Sequence, residues 1–275
     1  MSKRWFVTGA SRGFGRIWTE AALARGDRVV ATARDATALA DLVARHPDTA
    51  LAVPLDVTDR PSVMAAVGSA GEFLGSIDVV VNNAGFGLFG MVEEITEVQA
   101  RQQFETNVFG ALWVTQAVLP VLRDQQSGHI LQVSSIGGVQ AFPGLGLYNA
   151  SKWALEAFSQ SLAAEVADFG IKVTLIEPTG YATDWAFGSA MRAEPVGAYD
   201  DFRERALAAR AKVVADRGDP LATARVVLEL VDMDDPPLRL FLGEGPNQMI
   251  KVEYAARLAE WERYDELSRS AHRLA

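Results

Sequence analysis

Three side chains near the middle of the chain have the types and spacing needed to move a proton: Ser135, Tyr148 and, four residues further on, Lys152. Positions i and i+4 of a helix share a face, so Tyr148 and Lys152 project into one space from one rigid element. A free phenol, with a pKa near ~10, is a poor proton shuttle at neutral pH, but an adjacent ammonium favours the phenolate and makes it a usable acid or base. Ser135 follows the apolar run ending in Val133-Ser134, which sets its hydroxyl at the carboxyl end of a strand. There it can hydrogen-bond a substrate oxygen and stabilise developing charge. Taken singly, the serine could end a strand, the tyrosine cap a helix and the lysine be a surface charge; the joint spacing points to a site.

The elements that must hold these groups can be read from periodicity. Short β-branched runs alternate with longer stretches of helical period, the pattern of βαβ units that build a parallel sheet with helices on both faces. Strands are expected at Trp5–Thr8, Arg28–Thr32, Leu51–Leu55, Val79–Val81, His129–Val133, Val173–Ile176 and Leu238–Leu242. Helices are expected at Gly15–Ala24, Ala36–Ala44, Pro61–Phe73, Ala100–Leu122, Tyr148–Ala167 and Leu221–Val231. No repeat or linker divides the chain, so residues 1–275 are expected to form one α/β domain. Two segments fall outside the alternation: 179–218, a lid-like insertion with a helical stretch at Asp201–Ala215, and 245–275, a C-terminal helical extension. In the latter Val252, Tyr254, Ala255, Leu258 and Trp261 form an apolar stripe that would dock on its own domain or on another subunit.

After the first strand comes Thr8-Gly9-Ala10-Ser11-Arg12-Gly13-Phe14-Gly15, which then opens a helix. Glycines permit a tight turn and close backbone approach to a pyrophosphate, whose charge suits the unpaired N–H groups of a helix N-terminus. The reading is a dinucleotide site. In NAD-specific folds an acidic residue ends the second strand and takes the adenosine ribose hydroxyls. Here that place falls to Ala33, followed by Arg34, whose guanidinium can fork onto a 2′-phosphate; Arg12 supplies a second positive group. Two arginines without an acid favour NADP(H), the alternative being that Asp35 serves as the ribose ligand and NAD(H) is used. A bound nicotinamide would carry the hydride and, when oxidised, would also favour the Tyr148 phenolate.

Composition narrows the remaining classes. The chain has 275 residues, no cysteine and three widely spaced histidines, which excludes disulfides and thiolate chemistry and leaves no zinc-ligand pattern. A formal charge of −9 without a basic patch argues against nucleic acid or anionic lipid as partners. The short N-terminal apolar run Trp5-Phe6-Val7 is no signal-peptide core, and no run approaches the length of a membrane span, so a cytoplasmic protein is expected.

Together these motifs resemble the short-chain dehydrogenase/reductase family. The chain carries its glycine loop at Thr8–Gly15, Asp56-Val57 after the third strand, Asn82-Asn83-Ala84-Gly85 after the fourth, Asn107, and the set Ser135, Tyr148-x-x-x-Lys152. The resemblance spans about Lys3 to about Thr183. It implies a doubly wound Rossmann fold with a seven-stranded parallel sheet in the order 3-2-1-4-5-6-7. It also implies that Tyr148 is the general acid/base, that Ser135 orients the carbonyl, and that Lys152 binds the nicotinamide ribose and lowers the pKa of Tyr148. Asn107 would hold a water that relays protons to Lys152. Asp56 and Val57 would contact adenine, while Asn83, with Ala84 and Gly85, would support the sheet and the cofactor ribose. Gly9, Ser11, Arg12, Gly13, Phe14 and Gly15 would cradle the phosphates. Pro178, Thr179, Gly180 and Thr183 would form the nicotinamide-side segment, although Thr179 stands where the family has glycine. Members are commonly dimers or tetramers.

On the substrate side, Phe86, Leu88 and Phe89, then Phe142, Leu145 and Leu147, and Trp185, Phe187 and Met191 are apolar. They fit a hydrophobic ketone, aldehyde or secondary alcohol, or else loop packing. A redox sensor that binds the dinucleotide without turnover is the competing class, but it could dispense with Ser135, Tyr148 and Lys152. An epimerase or dehydratase with tightly held NAD would need a larger substrate domain than the short segment after the last strand.

Overall fold

The computed structural model describes residues 2–272 apart from 184, 186, 187, 189, 215 and 216. Seven strands form one sheet: β1 (Arg4–Val7), β2 (Arg28–Ala33), β3 (Ala50–Pro54), β4 (Val79–Asn82), β6 (Gly128–Val133), β7 (Ile171–Pro178) and β9 (Arg239–Leu242). Their order is β3-β2-β1-β4-β6-β7-β9, and every neighbouring pair is parallel. Counted within this sheet alone, that is the order 3-2-1-4-5-6-7 of a doubly wound Rossmann fold. The labels skip because two short strands, β5 (Leu88–Phe89) and β8 (Met191–Arg192), pair parallel in a second small sheet.

Strand residues alternate between two cores because successive side chains point to opposite faces. Trp5, Val7, Val29, Ala31, Val81 and Leu131 pack on one face with Trp18 and Ala22 of α1 (Gly13–Arg25) and Val227 and Leu230 of α8 (Thr223–Asp232). Phe6, Val30, Val80 and Ile130 pack on the other with Val63 and Val67 of α3 (Arg60–Leu74), Val114 and Val118 of α5 (Ala111–Gln125) and Leu162 of α6 (Gly146–Val166). With both faces covered, the strands read as continuous apolar runs. The short helix α2 (Ala40–Arg45) adds Leu42 to the first core.

One helical expectation needs correction. The stretch read as one helix from Ala100 to Leu122 is α4 (Glu97–Phe104), a π-helical turn at Glu105–Gly110, and then α5. At the C-terminus, α9 (Pro246–Arg263) and α10 (Asp265–Ser270) are helical, and Val252, Leu258 and Trp261 of the apolar stripe are exposed on this chain rather than packed on its own domain. Contact with α6 runs instead through the Arg257 guanidinium, 5.0 Å above the Trp153 ring and 5.3 Å from that of Tyr254. Helix α7 (Asp200–Val214) lies in the insertion before α8. Among the described residues no helix is long and apolar enough to cross a membrane.

Candidate active site

Helix α6 starts at Gly146, two residues before Tyr148, so Tyr148, Lys152 and Glu156 descend one face at i, i+4 and i+8. All three are buried. The Lys152 Nζ donates to the Val133 carbonyl at 2.7 Å and sits 6.0 Å from the centre of the Tyr148 ring. Ser135 follows the end of β6; its Oγ accepts the Gly137 N–H at 3.0 Å, and it also hydrogen-bonds the Tyr148 side chain. The sequence thus brings serine, tyrosine and lysine together as expected.

Electrostatics depart from the expectation in one respect. Burial pushes the Tyr148 phenol up to about 12, outweighing the opposing hydrogen bond to Ser135. Burial also brings the Lys152 ammonium down to about 8, with the Glu156 charge opposing it. At neutral pH the phenol therefore keeps its proton in this state, and the lysine beside it does not by itself yield a phenolate. A neutral, buried phenol hydrogen-bonded to a serine can donate a proton to an oxyanion forming at the same place.

Asn107 lies in the π-helical turn and is buried. Its Nδ2 donates to the Phe86 carbonyl at 3.0 Å and to Ser151 Oγ at 3.1 Å, while its Oδ1 accepts the Phe86 N–H at 3.1 Å. Asn107 therefore locks the segment after β4 onto α6. Such turns occur often at functional sites, where the extra residue re-aims a side chain.

The glycine loop is fixed to the neighbouring strand ends. The Ala10 N–H donates to the Thr32 carbonyl at 2.8 Å, and the Asn83 Nδ2 donates to the Thr8 and Gly9 carbonyls, each at 3.0 Å. The Asn83 and Ala84 N–H groups both donate to Thr8 Oγ1. Gly15 is required by packing, since a Cβ there would lie 2.5 Å from both Asn83 Nδ2 and the Gly9 carbonyl oxygen. The N-terminus of α1 has no side-chain cap and no acidic residue in its first turn. Its unpaired N–H groups fit the phosphates of a dinucleotide. Ser11, Gly13 and Phe14 line the same turn; Phe14 stacks on Trp18 at 5.3 Å and meets the Tyr181 ring edge-on at 5.2 Å.

At the end of β2, Ala33 occupies the final strand position, and Arg34 and Arg12 are both exposed. Asp35 is engaged locally: its Oδ1 accepts the Thr37 N–H at 3.0 Å and the Thr37 hydroxyl at 2.6 Å, capping a short 3₁₀ helix. Asp56 makes a similar turn with Thr58, while Val57 is buried. Gly85 follows Ala84 toward the Phe86 that Asn107 holds. Pro178 ends β7, and the glycine-to-threonine departure at Thr179 has a local reason: its hydroxyl donates to the Leu242 carbonyl at 3.1 Å, joining the ends of β7 and β9. Gly180 and Thr183 continue the segment, with the Thr183 N–H donating to the Tyr181 carbonyl at 2.9 Å.

Of the apolar candidates, Trp185 packs against the Tyr148 ring. Its indole lies 5.0 Å from the Tyr148 ring and 5.7 Å from Phe89. Phe86 and Phe142 are half-buried, Leu145 is buried beside the start of α6, and Leu88 belongs to the interior under the small sheet. Phe187 lies outside the described residues. A clamp not foreseen from sequence ties the insertion to the segment after β5. Glu94 accepts the N–H groups of Met91 at 2.7 Å and Val196 at 2.9 Å, and pairs with Arg203 of α7 at 2.6 Å.

A family model described as short chain dehydrogenase matches residues 3–190. The chain belongs to that family. Among curated relatives, "Oxidoreductase BOA17" of Botryotinia fuckeliana is 44% identical over 269 residues, covering 94% of each chain. A solved short-chain dehydrogenase from Streptomyces avermitilis is 40% identical with a TM-score of 0.90, covering 98% of each chain. An alcohol dehydrogenase from Thermococcus sibiricus, complexed with 5-hydroxy-NADP, is 26% identical with a TM-score of 0.73 and covers 88% of this chain and 96% of its own. As a short-chain dehydrogenase the protein is an oxidoreductase whose family uses a nicotinamide dinucleotide. The family match stops at residue 190, so the Glu94–Arg203 clamp and the helix α7 that supplies its arginine reach beyond it.

Proposed function

We propose that this short-chain dehydrogenase interconverts a hydrophobic ketone or aldehyde and its alcohol, using NADP(H), with Tyr148 as the proton donor and acceptor. The bound dinucleotide supplies or takes the hydride. The carrying observation is the arrangement of buried Tyr148 and Lys152 one turn apart on α6 with Ser135 beside them at the end of β6. Ser135 orients the substrate oxygen, and Tyr148 protonates it as negative charge develops. Lys152 binds the nicotinamide ribose, and its charge favours the phenolate once Tyr148 has given up its proton. Both polar atoms of the Asn107 side chain are engaged, so we assign the water that returns protons to Lys152 to the main-chain carbonyl of Asn107.

The NADP(H) preference rests on Ala33 at the end of β2, on exposed Arg34 and Arg12, and on the engagement of Asp35 with Thr37. Gly9, Gly13 and Gly15 at the head of α1 hold the phosphates; Asp56 and Val57 flank the adenine; Asn83, Ala84 and Gly85 with Pro178, Thr179, Gly180 and Thr183 enclose the nicotinamide half. Phe86, Phe142, Leu145 and Trp185 supply an apolar wall for the substrate. Residues 179–218 act as the lid, excluding water from hydride transfer.

Nicotinamide absorbance followed with a panel of hydrophobic ketones and aldehydes, with NADPH and NADH in parallel, tests this reading. NADPH oxidation should fall by about 10²–10⁴-fold in Tyr148→Phe while NADPH binding is retained. Tight binding without turnover across the panel would favour a dinucleotide sensor, and substantial turnover by the variant would remove Tyr148 from its role.

A further inference from the structure

One helical turn below Lys152, a second polar cluster is enclosed between α6, β7 and β9. Glu156 is buried, and Glu177, the residue before Pro178, has no exposed surface. The two carboxyl groups lie within hydrogen-bonding reach of each other. Glu156 Oε1 and both oxygens of Glu177 nevertheless accept no well-formed hydrogen bond among the described residues, the Ser134 hydroxyl beside Glu156 being a neighbouring donor that favours its carboxylate. Arg239 is the neighbouring cation: its Nε is 3.0 Å from Glu156 Oε2 and 3.6 Å from Glu177 Oε1, and its Nη2 is spent on Gln160 at 2.8 Å. One guanidinium cannot balance two buried carboxylates, and two acceptors facing each other without a donor repel. A single proton between them supplies the missing donor and leaves one negative charge opposite one positive charge.

We propose that Glu156 and Glu177 share one proton at neutral pH, and that the pair is a charge-setting and positioning element for Lys152, releasing that proton at alkaline pH to keep the Lys152 ammonium charged. The part concerning Lys152 rests on the function proposed above; the shared proton does not.

The charges facing the pair can be named from each packed element. Lys152 and Tyr148 precede Glu156 on α6, and Arg239 faces it from β9. On α9, Arg257 is paired with Glu253 at 3.5 Å and turned over Trp153. A cavity of about 610 Å³, lined by Glu156, Glu177, Arg239 and Gln160 together with apolar residues such as Phe241 and Ile250, lies beside the pair. Burial raises both carboxyl groups, Glu177 to about 8, the range to which burial brings Lys152. A second negative charge gained as pH rises through that range favours ammonium over amine one turn away.

Infrared spectroscopy of the full-length protein without added dinucleotide reads the shared proton directly. The carbonyl stretch of a protonated carboxyl should be present at neutral pH, disappear as pH rises through about 8, and be absent at neutral pH from Glu177→Gln and Glu156→Gln. A wild-type spectrum without that band, or with a band that persists in both variants, overturns the shared proton whether or not the protein turns over ketones. For the link to Lys152, Glu177→Gln keeps the single charge on Glu156. It should therefore hold neutral-pH kcat within about threefold while moving the alkaline fall of kcat down by about one pH unit. NADPH affinity followed by fluorescence over the same range should shift in parallel, which reads Lys152 without turnover. An alkaline limb and a binding profile that both stay in place, with the band lost, would reduce the pair to a structural role. Should Glu177→Gln not accumulate as folded protein, Glu156→Gln carries the same comparison.

Discussion

The indole of Trp185 lies 5.0 Å from the phenol ring of Tyr148, centre to centre, with the two planes inclined by 58°. It reaches that place because Gly87 has no side chain: a Cβ there would lie 2.5 Å from Trp185 Cζ2. The ring is steadied from the other side by Phe89, and the β5–β8 pairing that follows ties the segment down. Trp185 is thus an apolar wall against the proposed proton donor. Trp185→Ala should raise KM for bulky hydrophobic ketones by about tenfold, an aromatic contact being worth about 0.5–1.5 kcal/mol beyond its buried area, and should change small ketones little. Gly87→Val should give the same selectivity by displacing the indole. Steady-state kinetics on a size series of ketones checks both, and equal losses across the series would deny the ring a role in selectivity.

Arg34 is the residue on which the choice of dinucleotide is placed. Arg34→Ala should weaken NADPH binding by about 10–100-fold, the equivalent of one charge-assisted contact of about 1.5–3 kcal/mol, with NADH binding nearly unchanged. Paired titrations by intrinsic fluorescence decide it; a parallel loss for both dinucleotides would point to damage in the loop instead.

The clamp on the insertion makes a prediction about order. Hydrogen bonds from Arg203 and from the Val196 N–H hold the Glu94 carboxyl down to about 2, far below its ordinary range. Its folded-state value is the lower one, so the stabilisation is present above the ordinary carboxylate range and is lost as pH falls through that range towards 2. Arg203→Met should leave the sheet intact but speed proteolytic cleavage within residues 193–205 by about tenfold at neutral pH, since a hydrogen bond to a charged group is lost. Limited proteolysis followed by mass spectrometry measures it, and wild-type cleavage kinetics in the variant would show that the clamp holds nothing.

His129 sets the acid limit of the fold. It is buried near the start of β6 with its Nε2 2.9 Å from Thr174 Oγ1, and burial, aided by Lys172 and Lys3, brings it down to about 3. Below about 6.5 the unfolded chain takes up a proton that the folded chain refuses, so stability falls as pH drops from about 6.5 towards 3. The full loss is on the order of 5 kcal/mol, reached only near the lower end. His129→Gln should be less stable at pH 7 yet lose less between pH 7 and 4. Denaturant midpoints at both pH values for both proteins check the slope, and parallel slopes would exclude His129 as the cause.

What could be read from sequence depended on how local the cause was. Tyr148 and Lys152 are related by one helical turn, and Ala33 by its place at a strand end, so spacing alone located them. The break between α4 and α5 was not legible, because apolar periodicity over Ala100–Leu122 survives a single widened turn while the hydrogen-bond ladder does not. Glu94 and Arg203 meet across 109 positions, and no local pattern announces such a contact. Glu177 did leave a signal: an acidic residue directly after the apolar run Val173–Ile176 is costly to bury and therefore needs a partner. Its partner, four residues past Lys152, was readable as a helix-face neighbour, but only the sheet brings the two together. For Val252, Leu258 and Trp261 helical spacing records which residues share a side and not what stands opposite, and on this chain all three are exposed.

The widened turn at Glu105–Gly110 makes the site depend on residue count as well as residue identity. A widened turn holds one residue more than an ordinary helical turn between the same flanks, so removing one position there would restore an ordinary ladder and re-aim the residues left in the turn. Asn107 could keep its identity and still swing away from Phe86 and Ser151. Shortening the turn by one would thus loosen α6 from the segment that carries Gly87 even with every remaining side chain unchanged.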